Sequence, residues 1–215
     1  MKTFLTYLKS AAALTVVMLI VCGLAFPAAM VGLGQVLFPN QANGSLITAE
    51  GEKTNDLAEA VGSAIVGQDF AGDPRFFQGR ISGVGYNTYT EKEKTDGTYG
   101  GVSSGGSNLA PSNVELKERA EASVEEFLAS HPEVKKGDIP GDLLTASGSG
   151  LDPNITPESA AIQIPAIAEA TGIDETVLTG IVEQNTEGKT LGLFGHERVN
   201  VLKCNLEIAK QLGEI

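Results

Sequence analysis

The sequence predicts one N-terminal transmembrane helix followed by a soluble α+β (or α/β) domain with a small sheet. Three observations support this fold class. Residues 11–38 contain no charged side chain, the chain after them carries several helical apolar stripes, and its extended pieces are short and separated by glycine-rich turns. The composition of the 215 residues, 42% hydrophobic and 20% charged, is otherwise that of a globular protein.

The uncharged run predicts a transmembrane helix over residues 10–36, because about 20 apolar residues suffice to cross the bilayer core. A cleaved signal peptide is the alternative, but it would have a shorter apolar core of about 7–15 residues before its cleavage site. A lipoprotein anchor at Cys22 is disfavoured, because Val21 stands where a small residue is expected. Pro27 is compatible with a span, since neighbouring helices can satisfy the backbone groups that it frees.

Charge predicts the orientation of the span. Lys2 and Lys9 precede it and the first charge after it is Glu50, which predicts a cytoplasmic N-terminus and a single-pass protein of the cell membrane. The expected organisation is a cytoplasmic N-terminus (1–9), the transmembrane helix (10–36), a juxtamembrane connector (37–56) and a soluble extracytoplasmic domain (57–215).

Small residues in the span indicate where partner helices could come close. Gly23, Gly32 and Gly34 are the candidates for this transmembrane packing, because glycine lets two helix backbones approach. The competing explanation is compositional, since glycine is frequent in membrane helices generally.

The part beyond the membrane is strongly acidic. Without Lys2 and Lys9, 13 of the 15 basic residues remain against all 27 acidic ones. Such a surface repels nucleic acid and attracts cations weakly, although an acidic surface is also an ordinary solvated one. Cys22 lies in the predicted span and Cys204 near the C-terminus, so the sequence offers no disulfide framework.

Turn-forming residues dominate the connector and the first part of the outer domain. Asn43-Gly44 is a turn signal, and a short extended piece is predicted at residues 45–48. A short buried strand is predicted at residues 64–66, ended by Gly67. Residues 87–101 are predicted to form an exposed excursion, because their glycine, polar and charged residues bury little apolar surface.

The clearest helix of the outer domain is predicted to begin after Ser112. Ser112 has the capping position and Glu115 follows at the capping-box spacing. The helix ends before Pro132. One apolar stripe is formed by Leu116, Ala120, Val124, Phe127 and Leu128.

A second helix is predicted from the Thr156-Pro157 pair to Thr171. Threonine is a good N-cap, and proline is favoured in the first helical turn. Pro165 lies inside this helix and should kink it, while Gly172 should end it.

The remaining elements are short. Residues 143–146 are the one part of their glycine- and serine-rich stretch that could form a strand. Asp174 caps a helix, Val199 and Val201 alternate as in a strand, and a last helix is predicted at residues 202–212. The apolar face of the helix after Asp174 contains Val177, Leu178, Ile181 and Val182.

Nucleophilic catalysis is the first chemistry to consider. Residues 101–105 match the G-x-S-x-G spelling around Ser103, which matters where a strained turn joins a strand to a helix. No strand is predicted before this serine, and the helix predicted after Ser112 begins too far along the chain to form such a turn with it. An exported single-span serine hydrolase using Ser103 or Ser107 therefore stays only as the alternative function.

Nucleotide and DNA binding have weaker support. Gly188-Lys189-Thr190 resembles the end of a P-loop, but its first glycine would fall at Glu183 and the segment follows a helix. The two helices after Thr156 have a helix-turn-helix outline, yet the second contains no Lys or Arg for phosphate contacts. Two helices packed in a core explain this outline better.

Metal binding has no support in the sequence either. His131 and His196 are isolated and are interpreted as surface or helix-end residues. Asp142, Asp152 and Asp174 are better explained as turn and cap residues than as a catalytic carboxylate set. The sequence thus predicts neither a metal site nor catalytic residues.

Several polar strings punctuated by glycine remain without chemistry of their own. Glycine permits tight turns, and Ser and Asn side chains bond nearby amides, so such strings can form a rigid, shaped surface. The candidate partner-surface residues are Gln68, Gly79, Arg80, Gly105, Gly106, Ser107, Asn108, Ser147, Gly148, Ser149, Gly150 and Asp152.

In their order along the chain, these strings resemble the KdpC family, the small accessory subunits of the Kdp potassium-transporting ATPase. The resemblance runs along nearly the whole chain behind the single span. It rests on "GQDF", "FFQGR", "SGGSNLAPSN", "TASGSGLDPNITP", "AIQIPAIAEATG" and "RVNVLKCNLEIA", six strings in register.

The resemblance implies a non-catalytic subunit of a high-affinity, ATP-driven potassium import complex. Its implied partners are a potassium-translocating subunit, a P-type ATPase subunit and a small single-span subunit. Family members are described as catalytic chaperones that raise the ATP affinity of the ATPase subunit, so ATP is implied by the resemblance alone and potassium is the transported ion. The chain lacks the phosphorylated-aspartate signature "DKTGT" of the catalytic subunit.

This chain departs from the family pattern at a few places. Ile81 stands where proline is frequent and Asn154 where many members have histidine, which weakens any role assigned to those side chains. Residues 54–59 and 90–100 look longer than usual, as expected of surface variation. A direct ATP contact also conflicts with the predicted orientation, because an outer domain lies on the side without ATP.

Overall fold

The computed structural model describes residues 2–98 and 103–215. Helix α1 (Lys2–Ile20), a π-helical segment (Val21–Ala25) and helix α2 (Phe26–Leu37) follow one another without a break. In the described chain, one helical stretch of 35 residues, Thr3–Leu37, is long and apolar enough to cross a membrane, and none of its most apolar window is buried. The predicted membrane helix is therefore present.

A small two-stranded sheet follows the span directly. After the short helix α3 (Pro39–Ala42), β1 (Leu46–Thr48) pairs antiparallel with β2 (Ala60–Ser63). The Ser63 hydroxyl donates to the carbonyl of Gly44 at 2.6 Å, and the Ala64 N–H donates to the carbonyl of Ser45 at 2.9 Å. The sheet is thus attached to the end of the membrane helix.

The prediction of a buried strand at residues 64–66 is wrong. The strand lies earlier, in β2, and Ile65 is 62% exposed. The reason is the position of its partner: Gly44 and Ser45 have positive φ and turn the chain, so β1 begins at Leu46 and pairs no residue after Ser63 as a strand, apart from the single bond from Ala64 to Ser45. Strand pairing, rather than local apolar content, decides which residues are extended.

The main core lies farther along the chain, around a three-stranded antiparallel sheet with strand order β3-β5-β4. The strands are β3 (Asn154–Ile155), β4 (Thr186–Glu187) and β5 (Arg198–Asn200). The helices around it are α7 (Pro157–Ala161), α8 (Ile164–Thr171), α9 (Glu175–Gln184) and α10 (Val201–Leu212). Since every pairing is antiparallel, the α+β form of the predicted fold is the one found.

The core is built largely from the apolar helix faces that the sequence predicts. Leu178, Ile181 and Val182 of α9 are buried, while Val177 is 42% exposed. Cys204 of α10 is fully buried, and this burial raises the pKa of its thiol to about 12. The other buried members are Phe77, Val124, Ile139, Leu143, Ile155, Ala160, Ile164, Ile167, Val199, Val201 and Ile208.

The predicted kink at Pro165 takes the form of a break. Helix α7 ends at Ala161 and α8 starts at Ile164, which places Pro165 in the first turn of a new helix. There its missing N–H costs nothing, because the first-turn donors have no partner within the helix. Thr156 caps α7 and Gly172 ends α8 in the left-handed conformation, as predicted.

Helix α5 (Val114–Ser130) is capped by Asn113, not by Ser112. The Asn113 carboxamide accepts the N–H of Glu115 at 2.8 Å. Ser112 is displaced from this role because it lies inside a turn closed by the Asn113 N–H donating to the carbonyl of Ala110. The predicted stripe still holds, with Val124 buried and Phe127 and Leu128 packed against the core.

Three shorter segments differ, wholly or in part, from what the sequence predicts. Residues 141–144 form helix α6 (Gly141–Leu144) with Leu143 buried, so the strand predicted at 143–146 is wrong and the nearest strand is β3. The excursion is exposed over residues 88–98 but includes helix α4 (Glu91–Asp96), while residues 99–102 lie outside the described chain. Val201 belongs to α10, because Asn200 caps that helix through the N–H of Lys203.

Candidate partner-binding site

A long irregular segment, residues 64–82, is held on the helical core by three buried side-chain amides. Asn205 accepts the N–H of Phe77 at 2.8 Å and donates to the carbonyl of the same residue at 3.0 Å. Gln163 accepts the N–H of Gln78 at 2.8 Å and donates back to its carbonyl at 3.3 Å. Each amide thus takes the place of a strand partner, which satisfies the backbone of a buried segment that has none.

The third amide, Asn200, connects this segment to the membrane-proximal sheet. Its side chain donates to the carbonyl of Ala64 at 2.8 Å, while Ala64 bonds Ser45 just after the membrane helix. Asn200 is 3% exposed and also caps α10. Asn200 therefore links the main core to the membrane-proximal sheet, beside the apolar contacts of Ile47 with Leu202 and Leu206.

Three polar parts of the chain meet in one layer: the two ends of the irregular segment, the loop that contains Ser104, and residues 145–152. Residues 145–152 lie at the centre and contact the other two. The Ser82 hydroxyl donates to the carbonyl of Gly150 at 2.6 Å. The Ser104 hydroxyl donates to the carbonyl of Ser149, and the Gly67 N–H donates to the carbonyl of Leu151 at 2.8 Å. The predicted strings around residues 67, 80 and 105 are thus brought into one layer by the string around residue 149.

Glycine is required at the tightest crossing of these loops. Gly150 has φ +67°, and a Cβ there would collide with the carbonyl oxygen of Gly105 and lie 3.0 Å from Val84. The colliding atom belongs to the backbone and cannot rotate away. The loops can therefore approach each other only because this residue has no side chain.

Arg80 and Asp152 form the charged pair of the layer. The guanidinium lies 3.4 Å from the Asp152 carboxylate and 3.5 Å from the carbonyl of Thr145, and both side chains are partly buried. The Nε atom of Arg80 is buried without a hydrogen-bond partner among the described residues. Beside it, Tyr86 donates to the carbonyl of Arg80, and burial, together with the charge of Asp152, raises the pKa of Tyr86 to about 12.

Two clefts flank the layer. The larger, about 610 Å³, lies between the irregular segment, helix α5 and the start of α8, and is lined by Gln68, Gly79 and Arg80 among others. The smaller, about 270 Å³, is lined by five of the predicted surface residues. Those five are Gly106, Ser107, Asn108, Ser147 and Gly148.

Each of the twelve predicted surface residues lies in the layer or in one of its clefts. Gly105, Ser149, Gly150 and Asp152 form the crossing itself. The Gln68 side chain donates to the carbonyl of Val61, so this amide supports β2. Their placement together is a finding about geometry, and their contact with a partner stays a prediction.

Sequence reasoning missed several residues of this region. Arg119 of α5, which was not singled out, lines the smaller cleft with a buried Nε that has no hydrogen-bond partner in the described chain. Gln163, Asn200 and Asn205 were not singled out either. Only Asn205 had a usable signal, an amide within the apolar stripe of a helix, since such a group requires partners when it is buried.

The serines of the loop have structural partners. Ser103 donates its hydroxyl to the Asn87 side chain at 3.2 Å, and that side chain in turn donates to the carbonyl of Ser103 at 2.8 Å. Ser104 is engaged with Ser149. Within the described residues no imidazole bonds the hydroxyl of Ser103, Ser104 or Ser107, so the geometry gives the serine-hydrolase alternative no support.

His131 ends helix α5 and lines the larger cleft. The interpretation as a helix-end residue is confirmed, but the residue is only 6% exposed and its ring is stacked on Phe127 at 4.0 Å. Burial lowers the pKa of His131 below its usual 6.5, against the opposing effects of the Phe127 carbonyl and Glu133. The folded chain therefore favours the neutral imidazole.

A pH dependence of stability follows from His131. The unfolded chain takes up a proton near pH 6.5, whereas the folded chain resists it, so this contribution is complete above about pH 6.5 and is lost as the pH falls below it. We expect His131→Gln to flatten the fall of the unfolding midpoint between about pH 7.5 and 5. Denaturant unfolding of the full chain in detergent measures this slope. His196→Gln, at an exposed histidine, should keep the wild-type slope, and an unchanged slope in His131→Gln would refute the assignment.

The larger cleft has the size of a nucleotide site but the wrong charge. A cleft of about 610 Å³ could enclose a drug-sized ligand. Its lining, however, carries Asp69, Glu126 and an Asp73 that is paired with Arg75, while its one guanidinium, that of Arg80, is already paired with Asp152. The residues present therefore do not fit a triphosphate, which needs several cationic or N–H donors.

The chain matches the family model described as "K+-transporting ATPase, c chain" (KdpC) over residues 8–210. A Potassium-transporting ATPase KdpC subunit from Clostridium kluyveri is 52% identical over 213 residues, which cover 99% of this chain and 98% of that protein. The subunit of the same name from Clostridioides difficile is 53% identical over 97% of this chain and 99% of its own length. That from Caldanaerobacter subterraneus is 42% identical over 92% of both chains.

These matches cover the span, the layer of polar loops and the helical core together. Identity above 40% over nearly the whole length implies the same fold. The chain therefore belongs to the KdpC family, the C subunits of the potassium-transporting ATPase.

Proposed function

We propose that this chain is a non-catalytic accessory subunit that stabilises the potassium-import complex and raises the ATP affinity of its P-type ATPase subunit. Two surfaces without a partner in the described chain support the proposal most directly. The membrane helix buries none of its most apolar window within its own chain, while the polar loops form a rigid layer whose side chains at Ser107 and Asn108 make no hydrogen bond to described residues. Both surfaces are suited to other subunits.

The proposed partners are a potassium-translocating subunit, the P-type ATPase subunit and a small single-span subunit. The span binds within the membrane, with Gly23, Gly32 and Gly34 as packing positions. A Cβ at Gly23 or Gly32 would meet nothing within 4 Å, so this chain's own packing does not explain either glycine. The acidic domain, on the outer side, covers the face where potassium enters.

The effect on ATP affinity is proposed to be indirect. The unsuitable charge of the larger cleft and the predicted orientation both argue against nucleotide contact by this chain. The subunit would instead favour the conformation of the ATPase subunit that binds ATP, through contacts in the membrane.

Mild detergent extraction tests membership of the complex, because the tagged chain should bring down a large P-type ATPase.

A reporter fused after Ile215 tests the orientation, since activity only on the cytoplasmic side would reverse it and would revive direct ATP contact. If neutralising the outer acids left potassium affinity and its salt dependence unchanged, electrostatic help at the entrance would be excluded.

The polar loop offers a sharper variant. Asn108 has φ +52°, so Asn108→Gly keeps the backbone conformation while removing the amide, and Ser107→Ala removes the neighbouring hydroxyl. We expect the double variant to reduce recovery of the ATPase subunit about two- to ten-fold, as losing one or two interface hydrogen bonds would. Thr98→Ala, on the exposed excursion, should leave recovery unchanged. Normal assembly with lost ATP stimulation would contradict the proposed role of this loop.

A further inference from the structure

The middle of the membrane helix contains a π-helical segment, Val21–Ala25, followed directly by Pro27. At its end the N–H of Phe26 donates to the carbonyl of Val21, five residues back, instead of to that of Cys22. The α-helical donor for the carbonyl of Gly23 would be the N–H of residue 27, which proline lacks. The carbonyl of Cys22 therefore has no donor four residues ahead, because the Phe26 N–H bonds Val21, and none five residues ahead, because residue 27 is proline.

This carbonyl lies at the depth where water is scarcest. The membrane helix extends over Thr3–Leu37, so its midpoint is residue 20. At a rise of 1.5 Å per residue, Gly23 lies about 5 Å from that midpoint, in a hydrocarbon core that is about 15 Å thick on each side. A carbonyl without a donor at this depth costs several kcal/mol in lipid, so a donor from a neighbouring group is strongly favoured.

Polar side chains of the described span are engaged elsewhere. The Thr15 hydroxyl donates to the carbonyl of Ala11 at 2.9 Å, one helical turn back. The Gln35 and Asn43 amides bond each other at 3.0 and 3.1 Å near the far end of the span. A Cβ built on Gly23 meets nothing within 4 Å, so the surface beside this carbonyl is open.

We propose that the π-helical segment is the docking point for a transmembrane helix of a neighbouring subunit, which places a side-chain hydrogen-bond donor on the carbonyl of Cys22. The absence of a side chain at Gly23 lets the partner backbone come close enough for a short Ser, Thr, Asn or Gln side chain to reach. Single-turn π-bulges within α-helices are frequent at functional sites. The inference rests on the proposed function in one respect, membership of a multi-subunit membrane complex.

The bonded state of one carbonyl can be observed directly, because Cys22–Gly23 is the one place in the sequence where cysteine precedes glycine. Labelling the full chain with ¹³C-carbonyl cysteine and ¹⁵N-glycine therefore isolates the Cys22 carbonyl in a nitrogen-filtered solid-state NMR spectrum. We expect its resonance to move downfield when the labelled subunit passes from lipid vesicles alone into the reconstituted complex.

Pro27→Ala supplies the reference for that measurement. It restores the N–H of residue 27 and lets the helix return to α geometry, so the Cys22 resonance of the isolated variant should already lie at the hydrogen-bonded position. The same resonance position in the isolated wild-type subunit and in the complex would overturn the proposal. So would an isolated wild-type resonance at the Pro27→Ala position, since the carbonyl would then need no partner.

Recovery of the complex provides an independent readout. A hydrogen bond between membrane helices is worth about a three-fold change in association and rarely more than about twenty-fold. Pro27→Ala and Gly23→Leu should lower recovery of the ATPase by at least the smaller factor, whereas Pro39→Ala, at the start of α3, should not. Gly32→Leu, at another proposed packing position, is judged by NMR and not by recovery: the Cys22 resonance of the complex it still forms should stay at the hydrogen-bonded position, and a return to the position of the isolated subunit would mean that general helix packing, and not the bulge, sets it. If the wild-type chain recovers no ATPase at all, the proposed function fails and not the bulge alone.

Discussion

Gly150→Ala is expected to destabilise the soluble domain by about 2–4 kcal/mol. About 1–2 kcal/mol arises from placing a side chain at φ +67°, and the remainder from displacing the Gly105 carbonyl that the new Cβ would meet. For a domain of this size the unfolding midpoint should fall by about 5–15 °C. Because the chain contains no tryptophan, near-ultraviolet circular dichroism of its tyrosines in the detergent-solubilised full chain is the suitable probe.

Gly148→Ala is the matched control two residues away. Its φ is not positive and a Cβ there would meet nothing within 4 Å, so stability should change by no more than about 0.5 kcal/mol. Equal effects of the two substitutions would mean that the loop crossing is looser than the structure indicates. If only Gly150→Ala also weakens assembly, the layer must be rigid in order to bind its partner.

Asn205→Leu is the second change with a large expected effect. Leucine has nearly the same shape as asparagine, but it leaves both the N–H and the carbonyl of Phe77 buried without a partner. At about 1–3 kcal/mol for each unsatisfied group, the loss should be about 2–5 kcal/mol. Urea unfolding of the full chain measures it, and hydrogen exchange at the Phe77 amide should accelerate in proportion.

Gln211→Leu makes the same kind of substitution on the exposed side of the same helix. It should leave the unfolding free energy within about 0.5 kcal/mol of wild type. A small effect of Asn205→Leu would show that the irregular segment is held by its apolar contacts, with Phe77 in the core, and not by the amide.

The local elements were predictable because their signals are local. Asp174 and Thr156 cap helices through N–H groups two or three residues away, and Gly172 ends a helix by its own conformation. The uncharged run likewise indicated a membrane helix from composition alone. Errors arose where a neighbour within one turn competed, as Asn113 did with Ser112, or where a strand depended on a distant partner, as in β2.

The candidate site was predictable as a set of residues but not as an arrangement. Polar, glycine-rich strings indicated a shaped surface, and the three loops do cross at Gly150. Which glycine is indispensable could not be predicted, since Gly148 and Gly150 look alike in sequence and differ only in what faces them. The charge of the larger cleft was equally hidden, because Asp69, Asp73 and Glu126 come together only in the folded chain.

The sequence by itself determined the membrane helix, the helix caps, the acidic character and, through six strings in register, the family. Each of these depends on composition, on order along the chain or on hydrogen bonds that span a few residues. Only the tertiary structure decided how the irregular segment is held, because its backbone partners Gln163 and Asn205 lie 85 and 128 residues away from the amides they bond. Contacts at such separations depend on packing in three dimensions, for which local periodicity carries no signal.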